Sequence, residues 1–277
     1  MVGDETFEDF PRALAARFAP IALLGRGSMG LVYHVRADGQ DLALKLIQQL
    51  QANRLNRERF AREARVMAAL THPRIVRYAG AGLSEPVPWV TMELLSGGTL
   101  AERLRAGRIE EAEAHALVAS VLDGLAHLHG KGLLHRDLKP SNVFLDRVRG
   151  PVLIDLGLAR RLDATTVLTE PGIVMGSLAY MAPELMLDAP HSARTDLFAM
   201  GAVAFETLAG AGLHDDGAGP LSVADVTASL AGGTYYSSVR RRLPSRASSL
   251  GKAILRALAP EPKDRFASAA AMAAALA

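Results

Sequence analysis

The loop His135-Arg136-Asp137-Leu138-Lys139-Pro140-Ser141-Asn142 places a carboxylate, an ammonium and a carboxamide within a few residues of one another. Asp155-Leu156-Gly157 follows shortly afterwards. Such groups can orient a hydroxyl, neutralise a phosphoryl group in transit and hold a divalent cation through hard oxygen ligands. Upstream lies the turn Gly25-Arg26-Gly27-Ser28-Met29-Gly30. It is followed by the strand-like Leu31-Val32-Tyr33-His34-Val35, which suits a hairpin lid better than the helix-opening turn of a dinucleotide-binding fold. Glycines there let backbone N–H groups approach anionic oxygens, although a plain hairpin turn has the same spacing. Lys45, in Leu42-Ala43-Leu44-Lys45-Leu46, reads by itself as a strand lysine reaching for water.

The elements that must position these groups follow from patterning. Ile21–Leu24, Leu31–Val35, Asp41–Ile47, Ile75–Tyr78 and Val87–Met92 are short aliphatic runs broken by glycine, proline or polar turns, and are expected as strands. Among them, Asn56 to Leu70 repeats Phe60, Ala64, Met67 and Leu70 at helical spacing, and Thr71-His72-Pro73 stops it. Past a Ser96-Gly97-Gly98 hinge the pattern turns helical, with helices expected at Ile109–His129, Arg194–Leu208 and Ala247–Leu258. Residues 209–246 carry the weakest pattern, and Arg240-Arg241-Arg242 reads as a solvated face, with docking of acidic substrates as the lesser alternative. A small β-rich lobe joined to a larger helical lobe is the expected α+β architecture.

Composition narrows the function further. The 277 residues carry a formal charge of +2 and 5% aromatics, which gives little support to nucleic-acid binding. Cysteine is absent, which removes disulfides, thiol nucleophiles and thiolate metal sites. No apolar run is long enough to span a bilayer, and the acidic Met1–Phe10 lacks the order of a signal peptide. A cytoplasmic protein without membrane contact is the expectation.

In order and spacing, the glycine turn, Lys45, the 135–142 loop and Asp155 resemble the eukaryotic-like (Hanks-type) protein kinases. Lys139-Pro140-Ser141-Asn142 resembles their serine/threonine branch and is closest in style to bacterial members. The resemblance runs from about Ile21 to beyond Arg265. It implies a bilobal kinase-like fold with an N-terminal extension at 1–19, an N-lobe at 20–95, a C-lobe at 96–277 and the ATP cleft between the lobes. It implies transfer of the γ-phosphoryl of MgATP to Ser/Thr hydroxyls of protein substrates. Asp137 would be the base or orienting group, and Lys139 would counter charge on the moving phosphoryl group. Asn142 and Asp155 would hold Mg2+. Lys45 would bind the α- and β-phosphates and pair with Glu63, whose other reading is a solvated helix carboxylate. The backbone of Gly25, Gly27, Ser28 and Gly30 would cover the phosphates. Leu24, Val32, Ala43 and Phe144 would enclose adenine, with Met92 behind it and Glu93 and Leu95 on the hinge. For each apolar position alone, core packing explains the residue equally well.

Further along, Arg136 would bind a phosphorylated segment, with Thr165, Thr166 and Thr169 as acceptors in autophosphorylation, which allows a homodimer. Gly176-Ser177-Leu178-Ala179-Tyr180-Met181-Ala182-Pro183-Glu184 resembles the end of that segment. Ser177, where threonine is usual, would bridge Asp137 and Lys139, and Glu184 would pair with Arg265. Asp196 reads as a helix N-cap and, by resemblance, as an anchor for the catalytic-loop backbone. Leu156 stands where the family usually has phenylalanine. The rival readings are a nucleotide-binding pseudokinase scaffold, which has no need of Lys45, Asp137, Asn142 and Asp155 together, and a small-molecule kinase. The element ending at Glu184 speaks for protein substrates.

Overall fold

A computed structural model describes residue 7 and residues 9–27, 30–47, 54–83, 87–156, 175–215 and 222–277. The chain divides into two compact units, Met1–Leu95 and Ser96–Ala277. Ser28, Gly157, Thr165, Thr166 and Thr169 lie outside the described residues.

The first unit is built on an antiparallel sheet of five strands in the order β1-β2-β3-β5-β4. Its strands are β1 (Ala19–Gly27), β2 (Gly30–Ala37), β3 (Gln40–Ile47), β4 (Tyr78–Gly82) and β5 (Trp89–Glu93). Residues directly opposite in such a ladder share a face. The register Val32↔Lys45↔Val90 and His34↔Ala43↔Met92 therefore puts Lys45, Ala43, Val32, Val90 and Met92 on one face. The register Leu31↔Leu46↔Trp89 and Tyr33↔Leu44 defines the other. Helix α2 (Arg54–Ala68) lies on the Lys45 face, where Phe60 and Ala64 meet Tyr78, Ala81 and Val90 around a groove. The opposite face is covered by Phe7 and residues 9–18, which include the short helix α1 (Arg12–Ala15). Phe10, Leu14 and Phe18, one helical turn apart in sequence, bury themselves among Leu31, Tyr33, Val35, Leu44, Leu46 and Trp89. The segment preceding the first strand thus belongs to the core of this unit.

Strand β4 differs from the expectation, which ended at Tyr78. Its sequence, Tyr78-Ala79-Gly80-Ala81-Gly82, lacks branched residues, and at Gly82 the Trp89 ring occupies the space that a side chain would take. A Cβ on Gly82 would stand 2.4 Å from the Trp89 ring.

The second unit carries α3 (Leu100–Leu104), α4 (Glu111–Gly130), α5 (Met175–Leu178), α6 (Ala193–Ala209), α7 (Val223–Ala231), α8 (Thr234–Arg242), α9 (Ser249–Ala257) and α10 (Ala269–Ala274). It also holds a three-stranded sheet of β6 (Gly97–Thr99), β7 (Val143–Asp146) and β8 (Gly150–Leu153). The boundary between the two units falls at Leu95 and Ser96, where the hinge is expected, and Gly97 and Gly98 continue from it into an edge strand. Gly97 is at φ 141°, and a Cβ there would lie 2.1 Å from the Leu145 carbonyl oxygen, so only glycine fits. Asp146 fastens the turn, accepting from the backbone N–H groups of Ser96, Val148 and Arg149. Thr99 and Glu102 cap α3 reciprocally.

Helix α6 forms the centre of this unit, with Leu197, Phe198, Met200, Val203 and Phe205 all fully buried. Its N-cap is Ser192, not Asp196. The stretch expected to be least patterned holds α7 and α8, separated by Gly233 at φ 65°. Arg242 is not part of a solvated face. Its guanidinium donates to the Gly212 and Leu213 carbonyls and lies 5.1 Å from the Phe205 ring centroid.

Candidate active site

The loop between α4 and β7 brings the chemistry-bearing groups of the second unit together. Lys139 Nζ stands 2.9 Å from Asp137 Oδ2 and donates to Ser177 Oγ, also at 2.9 Å. The ammonium thus forms the link between the carboxylate and the hydroxyl. Asn142 Nδ2 donates to the Asp137 carbonyl at 2.7 Å and to its Oδ2 at 3.1 Å. Both amide protons are directed at Asp137, leaving the amide oxygen of Asn142 available as an acceptor. The Asn142 carbonyl accepts from Ile154 N–H at 3.0 Å, which sets Asp155 beside the loop. Asp155 adopts φ 61°, and Arg136 φ 65°, backbone conformations uncommon for side-chain-bearing residues and concentrated at functional sites.

Holding a loop in such a conformation requires an anchor, and Asp196 supplies it. This carboxylate, buried in α6, accepts from the backbone N–H groups of His135 at 2.8 Å and Arg136 at 2.9 Å. Its Oδ2 is also 2.8 Å from His129 Nε2. Burial pushes the Asp196 carboxyl up. The hydrogen bond from His129, the His135 and His129 rings and the Arg136 N–H outweigh that and hold it below the usual carboxylate range. His135 is fully buried, and desolvation keeps its imidazole below the usual histidine range against the pull of Asp196, Asp137 and Asp155. The part played by His129 was not legible beforehand. A histidine in the last turn of an amphipathic helix looks like any other, and only the fold brings it to Asp196.

A second buried network fixes the segment after Ser177. Arg265 donates to both carboxylate oxygens of Glu184 at 2.7 Å, and to the carbonyls of Ala259, Arg194 and Pro260. All five guanidinium N–H groups are engaged, and the group lies 4.8 Å from the Phe198 ring centroid. Nearby, Tyr180 Oη donates to Glu206 at 2.5 Å. Burial raises the Glu206 carboxyl, and burial together with the Glu206 charge raises the Tyr180 phenol.

In the first unit, Lys45 is buried in the middle of β3, with Val32, Ala43 and Met92 as neighbours on its face. Glu63 is half-buried on α2 between Phe60 and Met67, whereas Glu58 is exposed. Leu24 on β1 is exposed. Gly25 pairs with Val32, and Gly27 with Gly30, at the tip of the hairpin. Glu93 lies on the other face of the sheet from Met92, and its side chain accepts from Arg77 N–H at 2.8 Å. Leu95 is half-buried. In the second unit, Phe144 is half-buried on β7 opposite Thr99 and Val152.

The donor set can be tested for a cation. Among the described residues, no group of three or more His, Asp or Glu side chains is arranged to hold a metal unaided. One amide oxygen and one carboxylate, from Asn142 and Asp155, fit a magnesium ion that keeps waters and shares substrate oxygens.

A sheet-based unit, a helical unit and a loop bearing linked Asp, Lys and Asn side chains are the arrangement expected of a protein kinase domain. Residues 18–276 match the family model for the protein kinase domain, and the chain belongs to that family. It is 36% identical to the serine/threonine-protein kinase PknJ of Mycobacterium tuberculosis over 89% of this chain and 42% of that protein. It is 31% identical to PrkC of Bacillus subtilis, another serine/threonine-protein kinase, over 92% of this chain and 39% of that protein. The crystal structure of the PknI kinase domain of M. tuberculosis superposes with a TM-score of 0.71 at 29% identity, covering 94% of each chain. The relatives are bacterial serine/threonine kinases, and the similarities support a Hanks-type bacterial protein kinase domain. It spans about two fifths of the length of these two relatives. Among the described residues no helix is long and apolar enough to cross a membrane.

Proposed function

We propose that this domain transfers the γ-phosphoryl group of MgATP to serine or threonine hydroxyls of proteins. The observation that carries the proposal is Lys139 held between Asp137 and Ser177, with Asn142 donating to Asp137 from the other side. The acceptor oxygen forms the new P–O bond while the bond to the β–γ bridging oxygen breaks, and ADP leaves with that electron pair. Asp137 orients the acceptor hydroxyl and receives its proton, a contribution of ~10²–10⁴-fold for a positioned base. Lys139 offsets charge on the phosphoryl oxygens as they pass.

Asn142 and Asp155 hold magnesium, which when bound neutralises charge on the nucleotide phosphates. Lys45, steadied by Glu63, binds the α- and β-phosphates, and the backbone of Gly25, Gly27, Ser28 and Gly30 covers them. Leu24, Val32, Ala43, Met92 and Phe144 enclose the adenine, with Glu93 and Leu95 offering main-chain hydrogen bonds. Autophosphorylation of Thr165, Thr166 or Thr169, read by Arg136, would switch the activity and is compatible with a transient homodimer.

The test is incorporation of labelled phosphate from MgATP into a generic basic protein by the parent, Asp137→Asn and Lys45→Met. Labelling by the parent and its loss in both variants is expected. Nucleotide binding without transfer under any activating condition would point to a scaffold. Equal labelling by parent and Asp137→Asn would overturn the role given to Asp137.

A further inference from the structure

Strand β1 carries the glycine turn, yet none of its described side chains is buried. Ile21, Leu23 and Leu24 are exposed, and among the described residues β1 is an edge strand paired with β2 alone. Its register against β2 slips twice, between Pro20 and Ala22 and between Leu23 and Gly25. Such a strand has little to hold it in place. The segment behind the sheet is the opposite case. Phe10, Leu14 and Phe18 are buried, and Phe10 meets the Tyr33 ring edge-on at a centroid distance of 5.0 Å. Phe18 meets Trp89 in the same manner at 4.9 Å, and the Arg17 guanidinium lies 4.9 Å from the Trp89 ring.

One side chain connects the two. Arg26, between Gly25 and Gly27, is opposite Leu31 and so faces the Tyr33 and Trp89 side, away from the Lys45 face. There its guanidinium pairs with the carboxylate of Asp9, whose position is set by the buried Phe10 next to it. Burial, then the Asp9 charge, raises the Tyr33 phenol, consistent with the three side chains forming one cluster.

We propose that the segment formed by Phe7 and residues 9–18 is a positioning strap for the nucleotide-binding hairpin, with Asp9 acting through Arg26 to hold the glycine turn over the phosphates. The proposal rests on the reading of that hairpin as the phosphate cover. The pair is exposed on both sides, so its effect is modest and sensitive to salt. Loss of the pair lets the edge strand sample open positions, which weakens nucleotide binding without touching the groups on the 135–142 loop.

The experiment uses the full chain and compares the parent with Asp9→Asn, Asp9→Glu and the exchanged pair Asp9→Arg with Arg26→Asp. Asp9→Asn is expected to raise KM for MgATP about two- to five-fold, the range an exposed ion pair can supply. Its kcat and melting temperature should match the parent, Asp9→Glu and the exchanged pair should recover the parent KM, and the effect should shrink at molar salt. Hydrogen exchange in nucleotide-free protein reads the strap without catalysis. Residues 19–36 should exchange faster in Asp9→Asn, while peptides of α6 should not change. An unaltered KM with unaltered exchange overturns the proposal, as does a KM that rises only together with a fall in melting temperature. Faster exchange in a chain whose parent never labels protein from MgATP would instead overturn the kinase reading and leave the strap standing.

Discussion

Replacing Glu184 by glutamine tests whether the Arg265 network holds the second unit together. The Arg265 side chain has no exposure to solvent, and Glu184 retains 14%. The substitution keeps the shape and removes the one negative charge hydrogen-bonded to the guanidinium. Breaking a buried ion pair on one side typically costs ~3–5 kcal/mol, because a charge is left without compensation. The Ala259, Arg194 and Pro260 carbonyls and the Phe198 ring remain around Arg265, so the lower end, about 3 kcal/mol, is expected here. For a unit of this size that corresponds to a fall in melting temperature of roughly 6–12 °C. Differential scanning calorimetry of the parent, Glu184→Gln, Arg265→Met and the double variant measures it. The double variant should be less destabilised than the sum of the singles, by at least about 1 kcal/mol, since removing both partners leaves no orphaned charge. A Glu184→Gln protein melting within about 2 °C of the parent would refute the reasoning.

Ser177→Ala removes a hydrogen bond to the Lys139 ammonium, and hydrogen bonds to charged groups are worth ~1.5–3 kcal/mol. Steady-state assays should show kcat reduced about 10- to 100-fold with little change in KM for MgATP, and Ser177→Thr should retain activity. Gly97→Ala should melt well below the parent, since its Cβ would collide with the Leu145 carbonyl and φ 141° suits only glycine. Burial depresses the His214 imidazole to about 4, so its neutral form stabilises the fold at pH above its unfolded value of about 6.5. That contribution is lost as pH falls from about 6.5 towards 4, and by pH 5 it amounts to roughly 2 kcal/mol. His135 is depressed in the same direction and adds to the loss. Denaturant titrations at pH 7.5 and 5 should show His214→Gln less sensitive to acid than the parent.

The clustering within the 135–142 loop was legible because its polar residues are contiguous. Asp137, Lys139 and Asn142 lie within six positions, and a loop so short has few ways to scatter them. The Glu184–Arg265 pair was legible only through resemblance, since 81 residues separate its members. Strand β4 escaped because small residues beside Trp89 do not look like a strand. Strand β6 escaped because two glycines do not look like a strand; the Leu145 carbonyl crowds Gly97, and the Glu102 carboxylate that caps α3 crowds Gly98. Phe10, Leu14 and Phe18 were spaced as a buried stripe from the start, but a stripe of three residues has no visible partner until the sheet exists. The same holds for Arg242, whose role depends on carbonyls 29 and 30 residues earlier in the chain.

The attachment of His135 and Arg136 to Asp196 has a consequence for where this domain can vary. The 135–142 loop borrows its stiffness from a largely buried helix, so it cannot be softened without disturbing the interior. Adaptation of turnover or control must therefore act through parts mounted outside that axle, and suppressors of a loosened loop should map to residues 193–209 rather than to the loop itself.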